Sequence, residues 1–278
     1  MKNLMSLDDF LKIKDNDDFI LLDCRFDLSD KDYGRNAFKE GHIRGAIYVD
    51  LETELTGQVK EHGGRHPLPD LNEFTVNMNK KSVDDNIHVI IYDDGDLAAA
   101  SRLWWIFRYI GKSNVYILEE GIKAWKDRNL PLEQGEDVII KESKGTLSLN
   151  IRDDIYCDVQ YVKDNLDKAF IIDAREKDRY LGKIEPVDKK AGHIPGAKNY
   201  FWKDNFNEFK VKPKEELKEI FKGLEEKEDI IVHCGSGITG AANVMILDEI
   251  GIKAKLYGGS WSDWISYDEN PIVVGEER

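Results

Sequence analysis

The chain states nearly the same pattern twice. "FILLDCR" (19–25) is followed by "KEGHIRGAIYVD" (39–50), and "FIIDAR" (170–175) by "KAGHIPGAKNY" (190–200). Asp23 precedes His42 by 19 residues, and Asp173 precedes His193 by 20. Further on, "HVIIYDDGDLAAASRLWWIFRYIG" (88–111) is answered by "DIIVHCGSGITGAANVMILDEIG" (229–251), and "VYILEEGIKAW" (115–125) by "AKLYGGSWSDW" (254–264). Four features in one order at similar spacing describe a tandem duplication. In a chain of 278 residues this sets two domains, each long enough to bury its own core. The expected division is an N-terminal domain over 1–130, a polar linker over 131–150 that opens on Pro131, and a C-terminal domain over 151–278.

Within each half, short runs rich in Ile and Val alternate with helix-like stretches. Candidate strands are 19–23, 47–49, 89–92 and 115–118, then 170–173, 197–199, 230–233 and 254–257. They lack alternation with polar residues, as strands buried on both faces of a parallel sheet do. The fold class read from this is α/β, two tandem domains that each hold a parallel sheet flanked by helices. "SLDD" (6–9) and "DVQY" (158–161) read as helix starts, Gly111 and Gly251 as helix stops. "GQVKEHGGRHPLPD" (57–70) has no counterpart in the second half. It reads as an insertion that could face the partner domain.

Acidic residues outnumber basic ones by 54 to 40, for a net charge of −14. That speaks against the broad basic face needed for nucleic acid and disfavours an anionic membrane surface, so neither is expected as a partner. A small anionic ligand stays open if its site is built locally from an arginine or from backbone N–H groups. Cys24, Cys157 and Cys234 are far apart, with no CxxC pair. They make neither a disulfide framework nor a thiolate metal site, so no metal is expected. "MKNLMSLDDFLKIKDNDDF" turns acidic within a few residues and no apolar run reaches 18, so a cytoplasmic protein is expected.

The chemistry concentrates at 230–251. "DIIVH" reads as a buried strand running into Cys234, and "AANVMILDEI" as a helix. Between them, Gly235, Gly237 and Gly240 let the backbone take positive φ and turn its N–H groups inward as an anion nest, with a helix N-terminus behind it. A cysteine at the mouth of such a nest is expected to ionise readily. The bland alternative is an inert buried cysteine at a strand end. A hydrolase would need a base beside the thiolate, and adjacent His233 should point to the opposite face. A phosphatase of the Cys-x5-Arg type would need arginine at 240, which is glycine. Sulfur transfer needs no general base, because nucleophile and leaving group are both stable anions. Its product, a cysteine persulfide, is itself an anion that the nest can hold.

At these residues the chain resembles the tandem-domain rhodaneses, the thiosulfate and 3-mercaptopyruvate sulfurtransferases. The resemblance spans about residues 5–270 and rests on "DCR" and "DAR", "GHIRGA" and "GHIPGA", "EHGGRHPLPD", "SRLWWIFR", "HCGSGITG" and "GGSWSDW". It implies that only the second domain is catalytic. Asp93 holds the place of Cys234 in the first and cannot carry sulfur. It implies Cys234 as nucleophile, with Gly235, Ser236, Gly237, Ile238 and Thr239 as its loop. That loop resembles the mercaptopyruvate version, Cys-Gly-Ser-Gly-Val-Thr, more than the cationic thiosulfate version, Cys-Arg-Lys-Gly-Val-Thr. Arg179 corresponds to the substrate-binding arginine. Animal mercaptopyruvate enzymes have a second arginine nine positions on, where this chain has Asp188, flanked by Lys189 and Lys190 as substitute cations. His42 is a candidate cleft histidine to act with Ser236, and Arg65 and His66 could line the same cleft. Asp173, Arg175, His193 and His233 read as structural, Trp104 and Trp105 as helix core and domain interface, and Trp261 and Trp264 as core or cleft wall. The partners implied are a small anionic sulfur donor, 3-mercaptopyruvate or thiosulfate, and a thiol or thioredoxin-like acceptor; no cofactor is implied. Two rivals stay open. One is a non-catalytic binding module on the same fold, the other a phosphatase or arsenate reductase.

Overall fold

The computed structural model describes residues 2–16, 18–136 and 145–277. Residues 137–144, the middle of the expected linker, lie outside the described residues. The chain divides into two units. The first holds residues 1–57, 68–152 and 208–210, the second 58–67, 153–207 and 211–278. Most of the glycine-rich insertion thus belongs to the second unit. The described parts of 131–150 pack on the first: His42 and Glu133 exchange backbone hydrogen bonds of 2.9 Å, and Asn150 N–H donates to Ile110 O at 3.0 Å.

The first unit carries a five-stranded sheet of Leu4–Met5, Phe19–Asp23, Ile47–Tyr48, His88–Tyr92 and Val115–Leu118. The second carries Tyr156–Cys157, Phe170–Asp173, Lys198–Asn199, Ile230–His233 and Lys255–Tyr257. Counted along the chain within each sheet, both run in the order 1-5-4-2-3. Every neighbouring pair is parallel, with Leu21 opposite Ile90 in one and Ile171 opposite Ile231 in the other. The eight strands anticipated from the sequence all form, within a residue at their ends. The two-residue edge strands 4–5 and 156–157 are too short to leave a periodic signal.

Local signals act where they should. Ser6 Oγ accepts the N–H of Asp9 at 3.1 Å and Asp158 Oδ1 that of Tyr161 at 2.8 Å, so both first helices are capped. Gly111 and Gly251, at φ of 92° and 90°, follow the helices Ala98–Tyr109 and Thr239–Glu249 and end them in the left-handed conformation glycine tolerates. Each sheet packs its own core. Phe10, Leu21, Ile90, Tyr92 and Trp125 cluster in the first unit; Ile171, Ile194, Ile231, Tyr257, Trp261 and Trp264 cluster in the second. Trp104 and Trp105 are buried in the first unit.

One polar device recurs in both cores and explains the "D-x-R" repeat. Asp23 and Arg25 are buried, as are Asp173 and Arg175. In the second unit Asp173 accepts from Arg175 Nε at 3.0 and 3.1 Å and from Nη2 at 2.6 Å, while Arg175 Nη2 also donates to Gly192 O at 2.7 Å. In the first, Arg25 Nη2 reaches Asp23 at 2.6 Å and Gly41 O at 2.9 Å. The guanidinium therefore ties the end of the second strand to the residue before the "GHI" histidine. Those histidines match as well. His42 stacks on Phe38 at 3.9 Å and its Nδ1 lies 2.8 Å from Phe38 O. His193 stacks on Tyr180 at 3.9 Å with Nδ1 2.8 Å from Tyr180 O.

Removing one partner of a fully desolvated pair leaves an uncompensated charge, which costs far more than the intact pair contributes. Arg175→Met is therefore expected to destabilise the protein by about 3–5 kcal/mol in urea unfolding. A loss below about 1 kcal/mol, the scale of an exposed pair, would contradict this reading.

Candidate active site

Cys234 follows directly on the strand Ile230–His233, and Thr239–Glu249 is the next helix. The turn between them is built differently from the sequence expectation. Of its three glycines only Gly237 takes a positive φ, 84°. Gly237 N–H then donates to Cys234 Sγ at 3.1 Å, which stabilises negative charge on sulfur. Gly235 and Gly240 stand where neighbouring side chains approach closely instead. A Cβ on Gly240 would sit 3.1 Å from Leu256 Cδ1, and one on Gly235 would sit 3.0 Å from Arg65 Nη2. The segment 258–264 supports the turn from beneath. Ser260 Oγ accepts Cys234 N–H at 3.1 Å, Trp261 N–H donates to Cys234 O at 3.0 Å, and Ser262 N–H to Gly235 O at 2.9 Å. Ser260 holds a φ of 56°, rare outside glycine, at the point where it meets the cysteine.

Ser236 is 6% exposed and Cys234 2%, so both are sheltered. His66 Nδ1 lies 2.7 Å from Ser236 Oγ. The insertion that carries His66 is pinned to the same supporting segment. Gly63 N–H donates to Asp263 Oδ1 at 2.7 Å and Arg65 N–H to Ser262 Oγ at 3.0 Å. His42 lies in the first unit. It is buried, stacked and hydrogen-bonded as His193 is, and belongs to the repeated framework.

Arg179 donates from Nε and Nη2 to Glu185 at 2.8–3.2 Å and from Nη2 to Asp188 Oδ2 at 3.0 Å. Arg65 also binds Asp188, with Nε at 2.9 Å and Nη2 at 3.2 Å. Glu185 also accepts from Arg175 Nη1 at 3.4 Å. Asp173, Arg175, Glu185, Arg179, Asp188 and Arg65 thus form one chain of alternating charge that ends at the cysteine turn. Lys190 is drawn away to Asp268 at 2.9 Å, and Lys189 is exposed. The cation beside Arg179 is Arg65. Glu185 and Ser260 are not singled out by the sequence reading, which names Asp188 only as the place of a missing arginine. The need of a part-buried arginine for counter-charges is the signal that could have found the two carboxylates in "KIEPVDKK".

The equivalent turn of the first unit is already filled. Asp93 is buried and accepts the N–H groups of Gly95 at 2.8 Å, Leu97 at 3.2 Å and Ala100 at 3.1 Å. Burial pushes its carboxyl up, with Asp96 adding, against the pull of the Gly95 and Ala100 N–H groups. Burial also pushes the thiols of Cys24 and Cys157 up, so both rest as neutral core groups. Among the described residues no group of three or more His, Cys, Asp or Glu could hold a metal ion, and no helix is long and apolar enough to cross a membrane.

His233 carries a consequence for stability. Its Nδ1 lies 3.2 Å from Cys234 O, its Nε2 has no hydrogen-bond partner among the described residues, and it is fully buried. Burial holds its pKa below the ordinary 6.5; Asp173, 3.7 Å away, pulls upward, but that carboxylate is committed to Arg175, whose charge pushes down. His193 is lowered by burial too. In both cases the unfolded chain binds the proton more readily, so stability falls as pH drops below about 6.5, by up to about 1.4 kcal/mol per pH unit for each histidine. Asp173, held below the usual carboxylate range against its own burial by Arg175, adds a further loss only below about pH 4. The urea midpoint is expected to fall between about pH 7.5 and 5.5, and His233→Gln to flatten that fall. A His233→Gln profile as steep as the parent's would contradict it.

Residues 6–128 and 158–267 match the family model described as the rhodanese-like domain. The chain is 35% identical over 268 residues to the probable 3-mercaptopyruvate sulfurtransferase of Pseudomonas aeruginosa, covering 93% of each chain. It is 32% identical over 270 residues to the putative thiosulfate sulfurtransferase SseB of Mycobacterium tuberculosis, covering 95% of this chain and 93% of that one. The crystal structure of the 3-mercaptopyruvate sulfotransferase SseA from Escherichia coli superposes with a TM-score of 0.82 at 30% identity, over 94% of this chain and 100% of that one.

Proposed function

The chain belongs to the rhodanese-like domain family, and on that premise we propose that it is a sulfurtransferase that takes sulfur from 3-mercaptopyruvate through Cys234. The observation that carries the donor assignment is the 2.7 Å contact between His66 Nδ1 and Ser236 Oγ beside the cysteine. A ketone donor can use that hydroxyl; thiosulfate has no carbonyl for it to act on.

The cysteine thiolate attacks the donor's sulfur as the C–S bond breaks, and the electron pair passes into the CH2–C=O group to give the pyruvate enolate. Ser236, oriented by His66, donates its hydrogen bond to the oxygen where that charge develops, and such a donor acts most strongly when preorganised and shielded from water. The persulfide proton then moves to the enolate carbon. Pyruvate leaves and Cys–S–S⁻ remains, its charge facing Gly237 N–H and the turn formed with Gly235, Ile238 and Thr239. Arg179 takes the donor carboxylate. A thiophilic acceptor, cyanide in the assay and a thiol or thioredoxin-like protein in the cell, removes the outer sulfur and restores the thiolate, which gives ping-pong kinetics. The first unit is non-catalytic, because Asp93 fills the place of the nucleophile. The cytoplasm, where thiols stay reduced, is the compartment this chemistry suits, and all three cysteines are free.

The test compares kcat/KM for thiocyanate formation from cyanide with 3-mercaptopyruvate and with thiosulfate. Mercaptopyruvate is expected to win and Cys234→Ser to transfer nothing. His66→Asn should lower kcat with mercaptopyruvate by about 10²–10⁴-fold and affect thiosulfate far less. A preference for thiosulfate, or equal losses with both donors, would overturn the donor assignment.

A further inference from the structure

Two guanidiniums converge on the turn after Cys234. A Cβ placed on Gly235 would lie 3.0 Å from Arg65 Nη2, and 3.5 and 3.6 Å from Arg179 Nη2 and Nη1. Between them stands Asp188, its side chain only 2% exposed, whose Oδ2 accepts from both arginines. One guanidinium comes from the helix that follows the second strand of its sheet, the other from the insertion. The carboxylate at 188 is what holds the two together.

The charge balance is specific. Arg65, Arg175 and Arg179 face Asp173, Glu185 and Asp188 in one connected chain, so the formal charges cancel. Asp188 and Glu185 engage Arg65 and Arg179 through Nε and Nη2. The arginines are thereby fixed, with Arg65 Nη2 and both Nη groups of Arg179 close to the cysteine turn. The site as a whole carries no surplus positive charge.

We propose, resting on the sulfurtransferase reading with Arg65 and Arg179 as its donor-binding cations, that Asp188 is a positioning and specificity-determining residue, which holds the two guanidiniums together and sets donor choice by keeping the site neutral. A monoanion such as mercaptopyruvate gains two guanidinium edges. A dianion such as thiosulfate brings a second negative charge next to Asp188, in a sheltered place where charges are poorly screened. Both effects come from one juxtaposition: a buried carboxylate bridging two arginines at the mouth of the nucleophile's turn.

The experiment uses the full chain with Cys234→Ser, so that ligands bind without turnover. Calorimetry gives Kd for pyruvate, the monoanion, and for thiosulfate, the dianion. Asp188→Asn keeps the shape of the bridge and one acceptor but removes the charge. It is expected to tighten thiosulfate about tenfold and pyruvate by less than about threefold. Arg65→Met is expected to weaken both by about tenfold or more. An Asp188→Asn variant that shifts both ligands by the same factor, or an Arg65→Met variant that binds both as the parent does, would overturn the proposal. Should Asp188→Asn fail to fold, Arg65→Lys keeps the charge and loses the fork; it should weaken pyruvate by a smaller factor than Arg65→Met, and equal binding to the parent would overturn the proposal. Lack of Cys234-dependent transfer in the unmodified enzyme would count against the sulfurtransferase reading alone, since these binding ratios do not depend on turnover.

Discussion

Each half of this protein is organised around an arginine buried two residues after an aspartate at a strand end. The pair is too deep to be solvated, so each group is obliged to satisfy the other, and the guanidinium also closes on a glycine carbonyl at the start of the "GHI" turn. That fixes the strand end, the turn and the stacked histidine as one unit. In the second half the same arginine reaches further, to Glu185, and through it to Arg179, Asp188 and Arg65. The structural pair is the root of the electrostatic chain that ends at the turn after Cys234.

The two halves show how one scaffold supports two outcomes. In the first, the turn after the fourth strand closes its N–H groups on a carboxylate of its own, Asp93. In the second, the same turn offers an N–H to a cysteine sulfur and lies beside two arginines. The framework residues are the same type in both halves. The divergence lies in the turn itself and in the insertion 58–67, which gives Arg65 and His66 to the second unit.

The framework is legible in the sequence because duplication wrote it twice. The strands, the helix caps and stops, and the "D-x-R" and "GHI" motifs all recur. The site is legible in part. Cys234 and its loop stand out because a glycine-rich turn after an apolar strand is rare without a purpose, and Arg179 comes in by resemblance. The histidine that meets Ser236 is His66 of the insertion, which has no repeat to compare, whereas His42 recurs as His193 in the repeated framework. Asp188 reads in the sequence only as a missing arginine, and Glu185 escapes notice, because an acidic residue in an acidic chain carries no signal until the arginines it must neutralise are seen beside it. The positive φ expected at three glycines occurs at one, since close packing also demands glycine and the two causes look alike in a sequence.

Whether Cys234 carries sulfur is tested most directly by the mass of the intact protein after brief exposure to 3-mercaptopyruvate without an acceptor. The predicted result is a gain of one sulfur atom, located on the peptide containing Cys234, with one pyruvate released per chain and the added mass lost on addition of cyanide. Pyruvate release without any sulfur on Cys234, or sulfur bound at Cys24 or Cys157 instead, would contradict it.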